Sequence, residues 1–275
     1  MSLALFSFSA MAIGGRELSG HLDTFSIMFY RSLIGLVVVV AALAATGNFA
    51  QVKTRRIGTH FWRNLAHFTG QNLWFYAVGL ITLAQLFALE FTSPVWVALL
   101  APLFLGERFT GWRVGTTIAG FAGVLIVVRP GVSAVGIGEI AALAAAVGFA
   151  ANIMITKSLS RTESTLCIVF WMTLMQAVMA AVMLVGQPLV PEWEIVPWVV
   201  VVGLGGLSAH FSLARAFRHA DASVVAPMDF LRLPLIAVVG MLAYGEALDP
   251  YVFLGGGIVF LANYVNVWRS GRKAG

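Results

Sequence analysis

The chain has 275 residues, of which 60% are hydrophobic and 11% are charged, well under the roughly 25% charged share of ordinary soluble domains. Its formal charge is +5, but the basic residues are scattered among apolar runs rather than gathered into a patch, which argues against nucleic acid as a partner. A single cysteine, Cys167, excludes an intrachain disulfide and a thiolate metal cluster.

The apolar runs are continuous rather than alternating, and a backbone in lipid must satisfy its own hydrogen bonds, so the segments read as helices. The first run, 2–15, lacks the basic n-region of a cleavable signal peptide. It reads as a short first span, below the ~20 residues a bilayer requires. Either the helix continues through Gly14 and Gly15 or further residues precede it. Span 2 (24–46) carries Arg31. Span 3 (61–80) carries His67 and Gln71, one turn apart on one face, with Asn72 and Trp74. Span 4 (83–105) holds Glu90, Pro94 and Trp96. Span 5 (111–129) shows a small-residue ladder, Gly115, Ala119 and Gly123, that reads as close helix packing.

Span 6 (137–158) holds Asn152, and span 7 (165–186) holds Trp171 and Gln176. His210 falls on span 8 (196–216). Span 9 (222–244) carries Asp229 and Arg232, three apart on one helical face, between Pro227 and Pro234. Span 10 (250–269) completes the series. Prolines 94, 227 and 234 predict kinks in spans 4 and 9 that free backbone carbonyls.

Loop charges orient these ten spans. With the N-terminus cytoplasmic, thirteen of the 17 basic residues fall inside, and only Arg16 and Arg129 fall outside. That is a strong positive-inside bias. The remaining two, Arg31 and Arg232, lie within spans. Both termini are therefore expected on the cytoplasmic side of the inner membrane.

A repeat runs at an offset of 139 residues: AQLFALEFTSPVWVALLAPLFLGE (84–107) lies against SVVAPMDFLRLPLIAVVGMLAYGE (223–246). The register pairs Glu90 with Asp229, Gly106 with Gly245 and Glu107 with Glu246. Five spans per half is an odd number, so the halves, 1–132 and 133–275, enter the membrane in opposite directions. The expected fold is an all-α integral membrane protein of ten transmembrane helices in two inverted five-helix repeats. Inverted repeats underlie alternating access, with a substrate site where they meet near the midplane.

These segments carry a family resemblance. FYRSLIG (29–35), QNLWFYAVGLITLAQLFALEFTSPVWVALLAPLFLGER (71–108), GFAGVLIVVRPG (120–131) and ADASVVAPMDFLRLPLIAVVGMLAYGE (220–246) resemble the drug/metabolite transporter superfamily, in particular its ten-span EamA-type members. The resemblance implies a secondary carrier of a small organic metabolite. An amino acid or related compound is the first expectation, with export the favoured direction. The alternatives are uptake of a larger metabolite such as S-adenosylmethionine and, from a different class, a membrane-embedded enzyme, for which the chain shows no clustered catalytic constellation.

An intramembrane charge costs about 2.5–3.5 kcal/mol on insertion scales, so each demands a reason. Arg31 and Glu90 lie at similar depth, about 10 Å below the outer surface, and are expected to pair. Asp229 and Arg232 sit in the inner half, with Arg215 a further partner for Asp229. The proposed gate couples Glu90 and Asp229 to Arg31 and Arg232, with protons as candidate coupling ions. His67, Gln71, Asn152, Gln176 and His210 are candidates for lining the cavity or for interhelical hydrogen bonds. Trp74, Trp96 and Trp171, away from the interfaces, are candidates for stacking on substrate or for packing. Walker A and H-E-x-x-H motifs are absent. Ser208 and His210 point to different helix faces and make a poor hydrolase pair. Neither catalytic activity, metal nor cofactor is expected, and the chain is expected as a monomer or homodimer.

Overall fold

The structure, a computed structural model, describes residues 2–105, 111–130, 134–187, 190–219 and 230–271. Among them every regular element is helical: α1 (Ser2–Leu18), α2 (Thr24–Thr46), α3 (Ile57–Val78), α4 (Leu83–Glu90), α5 (Ser93–Leu105), α6 (Gly111–Val128), α7 (Ile137–Leu159), α8 (Thr165–Met183), α9 (Val196–His219), α10 (Arg232–Tyr244) and α11 (Pro250–Gly271). Local chemistry sets the boundaries. Asp23 accepts from the Phe25 and Ser26 amides to start α2, and Gly47 ends that helix in the left-handed region at φ 67°, where a Cβ would be strained. Thr82 and Gln85 form a reciprocal capping box at the start of α4, satisfying two orphan amides.

The first helix does continue through Gly14 and Gly15, for 17 residues, about 25 Å. A Cβ on Gly14 would meet Val202 at 2.8 Å, and one on Gly15 would meet Phe75 at 2.8 Å. The bare backbone is what lets α9 and α3 close on α1.

The fourth apolar run is two helices rather than one. Pro94 has no N–H to bond the Glu90 carbonyl, and the chain breaks at Phe91–Thr92. The carbonyls released are capped by side chains. Ser93 Oγ donates to Glu90 O at 2.7 Å, Thr92 Oγ1 to Leu89 O at 2.6 Å, and Asn263 Nδ2 to Phe91 O at 2.9 Å. The expected kink is thus a break whose polar groups stay satisfied without water.

By length and composition, six helical segments can cross a membrane: Thr24–Thr46, Leu83–Leu100, Ile137–Leu159, Thr165–Met183, Trp193–Ser212 and Pro250–Arg269. Val114–Val128 and Arg232–Tyr244 are shorter apolar helices. Helix α3 is absent from this set; it carries many polar residues, and His60, Arg63, Asn64, His67, Gln71 and Asn72 are buried. Its other face exposes Phe61, Trp62 and Tyr76. Polar side chains turned inward and apolar ones outward are the arrangement lipid requires.

The helices pack in matched pairs across the two halves of the chain: α1 on α9, α3 on α7, α2 on α8, α4 on α10 and α6 on α11. The α6–α11 contact is backbone against backbone. A Cβ on Gly123 would lie 2.6 Å from the Gly255 carbonyl oxygen, and one on Gly255 would lie 2.5 Å from that of Gly123. Gly115, expected in the same ladder, has nothing within 4 Å and is exposed. Only Gly123 serves the close packing read from the ladder's two glycines.

Candidate functional site

Where the paired helices meet, they enclose a cavity of about 420 Å³. Both halves build it. Phe8 and Met11 come from α1, His67, Gln71 and Trp74 from α3, and Glu90, Phe91, Ser93 and Pro94 from the broken fourth segment. Phe149, Asn152, Ile153 and Thr156 come from α7, His210 from α9 and Arg232 from α10. The volume lies in the ~300–1,000 Å³ range of small-molecule sites.

One charged centre sits in this wall. Glu90 accepts the Trp74 indole N–H at 2.8 Å through Oε2 and faces Arg232 Nη1 at 3.3 Å through Oε1. The Arg232 guanidinium lies 4.4 Å from the ring centre of Phe8, 4.9 Å from Phe91 and 5.4 Å from Phe87. Aromatic faces carry negative charge density, so the three rings and the carboxylate stabilise a cation that is only 4% exposed.

This arrangement corrects the expected Arg31–Glu90 pair. Glu90 bonds across the interface to α10, whereas Arg31 lies between α2, α8 and α9, against Gly206, whose added Cβ would lie 2.6 Å from Arg31 Nε. Among the described residues Arg31 makes no ion pair, and the cleft it lines, of about 10 Å³, cannot hold a metabolite. A similar expected depth did not bring the two together, because depth along a span says nothing about which helices are neighbours. Asp229, and the side chain of Arg215, lie outside the described residues.

A polar network backs the other wall. Gln176 Nε2 donates to His67 Nδ1 at 2.8 Å, which leaves the His67 proton on Nε2. Asn64 Oδ1 accepts from Arg63 Nη1 at 3.0 Å, and Arg63 Nε donates to Thr156 Oγ1 at 2.9 Å. His67 stands edge-on to His210 at 5.4 Å, and Phe8 edge-on to His210 at 5.5 Å. Gln176 thus holds a lining residue and does not itself line the cavity. Gln71 and His210 line it, and their Nε2 atoms are buried without a hydrogen-bond partner among the described residues.

The other candidates lie elsewhere. Trp96 packs edge-on against Phe121 at 4.9 Å. Trp171 donates to the Val52 carbonyl at 2.9 Å and stands 6.2 Å from the His60 ring. Ser208 donates to Ser7 Oγ at 2.8 Å and to Gly205 O at 3.2 Å, with no bond to His210 among the described contacts.

A second charged cluster escaped the sequence reading. Glu246 faces Arg16 at 3.0 Å and accepts the Leu83 amide at 2.9 Å. Tyr244 donates to Glu17 at 2.7 Å, and Arg129 pairs with Asp249. These contacts bind the α1, α3–α4 and α6 ends of the first half to the α10–α11 turn of the second. The available signal was the Gly-Glu at 245–246, which the repeat register matches to Gly106 and Glu107.

Comparison with known proteins sets this architecture in context. A solved crystal structure superposes on 100% of this chain and 99% of its own with a TM-score of 0.65 at 19% identity, so the fold has an experimental counterpart. The chain is 32% identical to a riboflavin transporter of Rhizobium johnstonii, over 78% of this chain and 74% of the relative. It is 26% identical to an S-adenosylmethionine uptake transporter of Rickettsia bellii, over 99% and 93%. It is 27% identical to the pseudopaline exporter of Pseudomonas aeruginosa, over 94% and 92%. The family model described as the EamA-like transporter family matches twice, at residues 1–129 and 136–268. With its apolar spanning helices and a cavity shared by both halves, this multi-pass membrane protein is a small-molecule transporter, and it belongs to the EamA-like transporter family.

Proposed function

We propose that the chain is a secondary carrier that moves a planar heteroaromatic metabolite, of the flavin or adenosyl class, through the cavity by alternating access. The cavity carries this reading. Phe8, Trp74, Phe91 and Phe149 supply apolar ring surface, and Gln71, Asn152 and His210 supply polar groups along its edge. That combination suits a flat ring system with amide or amine edges. Relatives named for riboflavin and S-adenosylmethionine agree with it in substrate size. A free amino acid suits the wall less well, since it needs charged partners and the two described here, Glu90 and Arg232, face each other.

Alternating access rests on the pairing of helices. If the first five spans correspond to the last five in order, the α1–α9 contact exchanges with α3–α7. Under the same correspondence, α2–α8, α4–α10 and α6–α11 each map onto themselves. We propose two inverted five-span repeats in the inner membrane with both termini cytoplasmic, in keeping with the thirteen-to-two bias of basic residues. The Arg16–Glu246 and Arg129–Asp249 pairs then latch the outer side shut, and Glu90, with Asp229 as its counterpart in the repeat register, serves the gate. Protons remain the proposed coupling ion.

Proteoliposomes test this. Purified protein should carry riboflavin or S-adenosylmethionine across the bilayer saturably, and loading one side at a time, with and without a pH gradient, reads direction and coupling. Flux equal to that of protein-free liposomes for both compounds, alongside saturable flux of an amino acid, would overturn the substrate class.

A further inference from the structure

Outside the cavity lining, the α2–α3 connection meets the α7–α8 turn. There His60 on α3, Glu163 in the turn and Cys167 on α8 come together. One ligand-capable atom from each lies within 4.8 Å of the other two. None of the three lines the cavity.

His60 is wholly buried, and neither ring nitrogen has a hydrogen-bond partner among the described residues. A buried polar atom left without a partner is destabilising, so an imidazole held there with both nitrogens idle points to a ligand. Cys167 is wholly buried too, and its thiol donates to Glu163 Oε2 at 3.2 Å. Thr54 Oγ1 donates to the other carboxylate oxygen at 2.7 Å, as outer partners do when they orient metal ligands. Ser164 Oγ accepts the Cys167 amide at 3.0 Å and fixes the helix turn that presents the sulfur.

We propose that His60, Glu163 and Cys167 bind one Zn²⁺ ion, with a fourth position open to water. A nitrogen, an oxygen and a sulfur donor make a set that suits zinc. Zinc bonds of about 2.0–2.3 Å in a tetrahedron place ligand atoms ~3.5 Å apart. No separation here therefore has to close by more than about 1.3 Å, within reach of side-chain torsions. As the S–Zn bond forms, the Cys167 thiol releases its proton to water. The thiolate and the Glu163 carboxylate then balance the two positive charges of the ion. Arg56 and Arg63 lie near enough to oppose a cation, but each is tied to other partners, Arg56 to Ser158 and Thr162, Arg63 to Thr156 and Asn64. Glu163 is partly exposed and gives the ion a way in. A bound ion would tie α3, which carries His67, Gln71 and Trp74, to α8 of the other half.

Untagged full-length protein in detergent, stripped by chelator, is titrated with ZnCl₂ against a chromophoric zinc indicator and separately with CoCl₂. The expected results are one Zn²⁺ per chain and a thiolate-to-cobalt charge-transfer band in the near ultraviolet. Cys167→Ser keeps a hydroxyl for Glu163; it should abolish the band and weaken zinc binding at least tenfold, and His60→Gln should weaken zinc binding comparably. Zinc affinity and stoichiometry unchanged in both variants would overturn the site. Should either variant fail to fold, the wild-type cobalt spectrum decides alone, because Cys167 is the single cysteine. Absence of the band then rejects the proposal.

Discussion

Replacing Glu90 by Gln removes one charge from the centre of the cavity and leaves its shape. The carboxylate serves two partners on two helices, the Trp74 indole on α3 and the Arg232 guanidinium on α10. The amide keeps one acceptor oxygen and cannot satisfy both with charge. Breaking a buried ion pair costs about 3–5 kcal/mol. Glu90 is 17% exposed, and the rings of Phe8, Phe91 and Phe87 still face the guanidinium, each contributing about 0.5–2 kcal/mol. We therefore expect a net loss of ~2 kcal/mol. Because the pair joins the two halves, that loss falls on the conformations that hold it. At about 1.4 kcal/mol per tenfold, ~2 kcal/mol shifts the balance of states by about 30-fold. Flux into proteoliposomes of the compound that the wild-type protein carries, at equal incorporated protein, should fall at least tenfold. Arg232→Gln should behave alike, and the double variant should lose little beyond the worse single, as contacting residues do. Wild-type flux and pH dependence in both single variants, correctly inserted, would refute the reasoning and leave the pair as a brace.

Gly123→Ala puts a methyl 2.6 Å from the Gly255 carbonyl oxygen. Neither backbone can yield easily, and an overpacking cost of about 1–3 kcal/mol should lower the melting temperature in detergent by several degrees. Gly115→Ala, which meets open space, should leave it unchanged. If the two variants melt alike, the α6–α11 packing is misread. Glu246→Gln should loosen the outer latch. A cysteine placed at Gln71 in a Cys167→Ser background should then be labelled from outside severalfold faster, and an unchanged labelling rate would argue against a latch. A reporter fused after the C-terminus should act on the cytoplasmic side, and activity confined to the periplasm would reverse the orientation.

Helix positions were legible in the sequence because the cost of unpaired backbone in lipid forces each apolar run into one self-bonded element. The runs 24–46 and 137–158 coincide with α2 and α7 to within a residue. A kink in the fourth run was legible as well, since a proline four residues after Glu90 removes the donor its carbonyl needs, but its opening into two helices at Phe91–Thr92 was not. His67 and Gln71 share a face by simple helical spacing, and both line the cavity. Partner choice was not legible. Arg31 and Glu90 fall at similar places along their apolar runs, yet α2 packs on α8 and α9 while α4 packs on α10. The carboxylate therefore meets Arg232, 142 residues away. Phe8 and Phe149 gave no signal among the chain's 20 phenylalanines, because an apolar ring looks the same in sequence whether it faces lipid, core or cavity. The His60–Glu163–Cys167 cluster was equally hidden, its members lying in three different elements. Composition and spacing along one chain decide which segments cross the membrane and which face of each helix is polar. Which polar faces meet depends on contacts between distant segments, and only the tertiary packing of the two halves decides that.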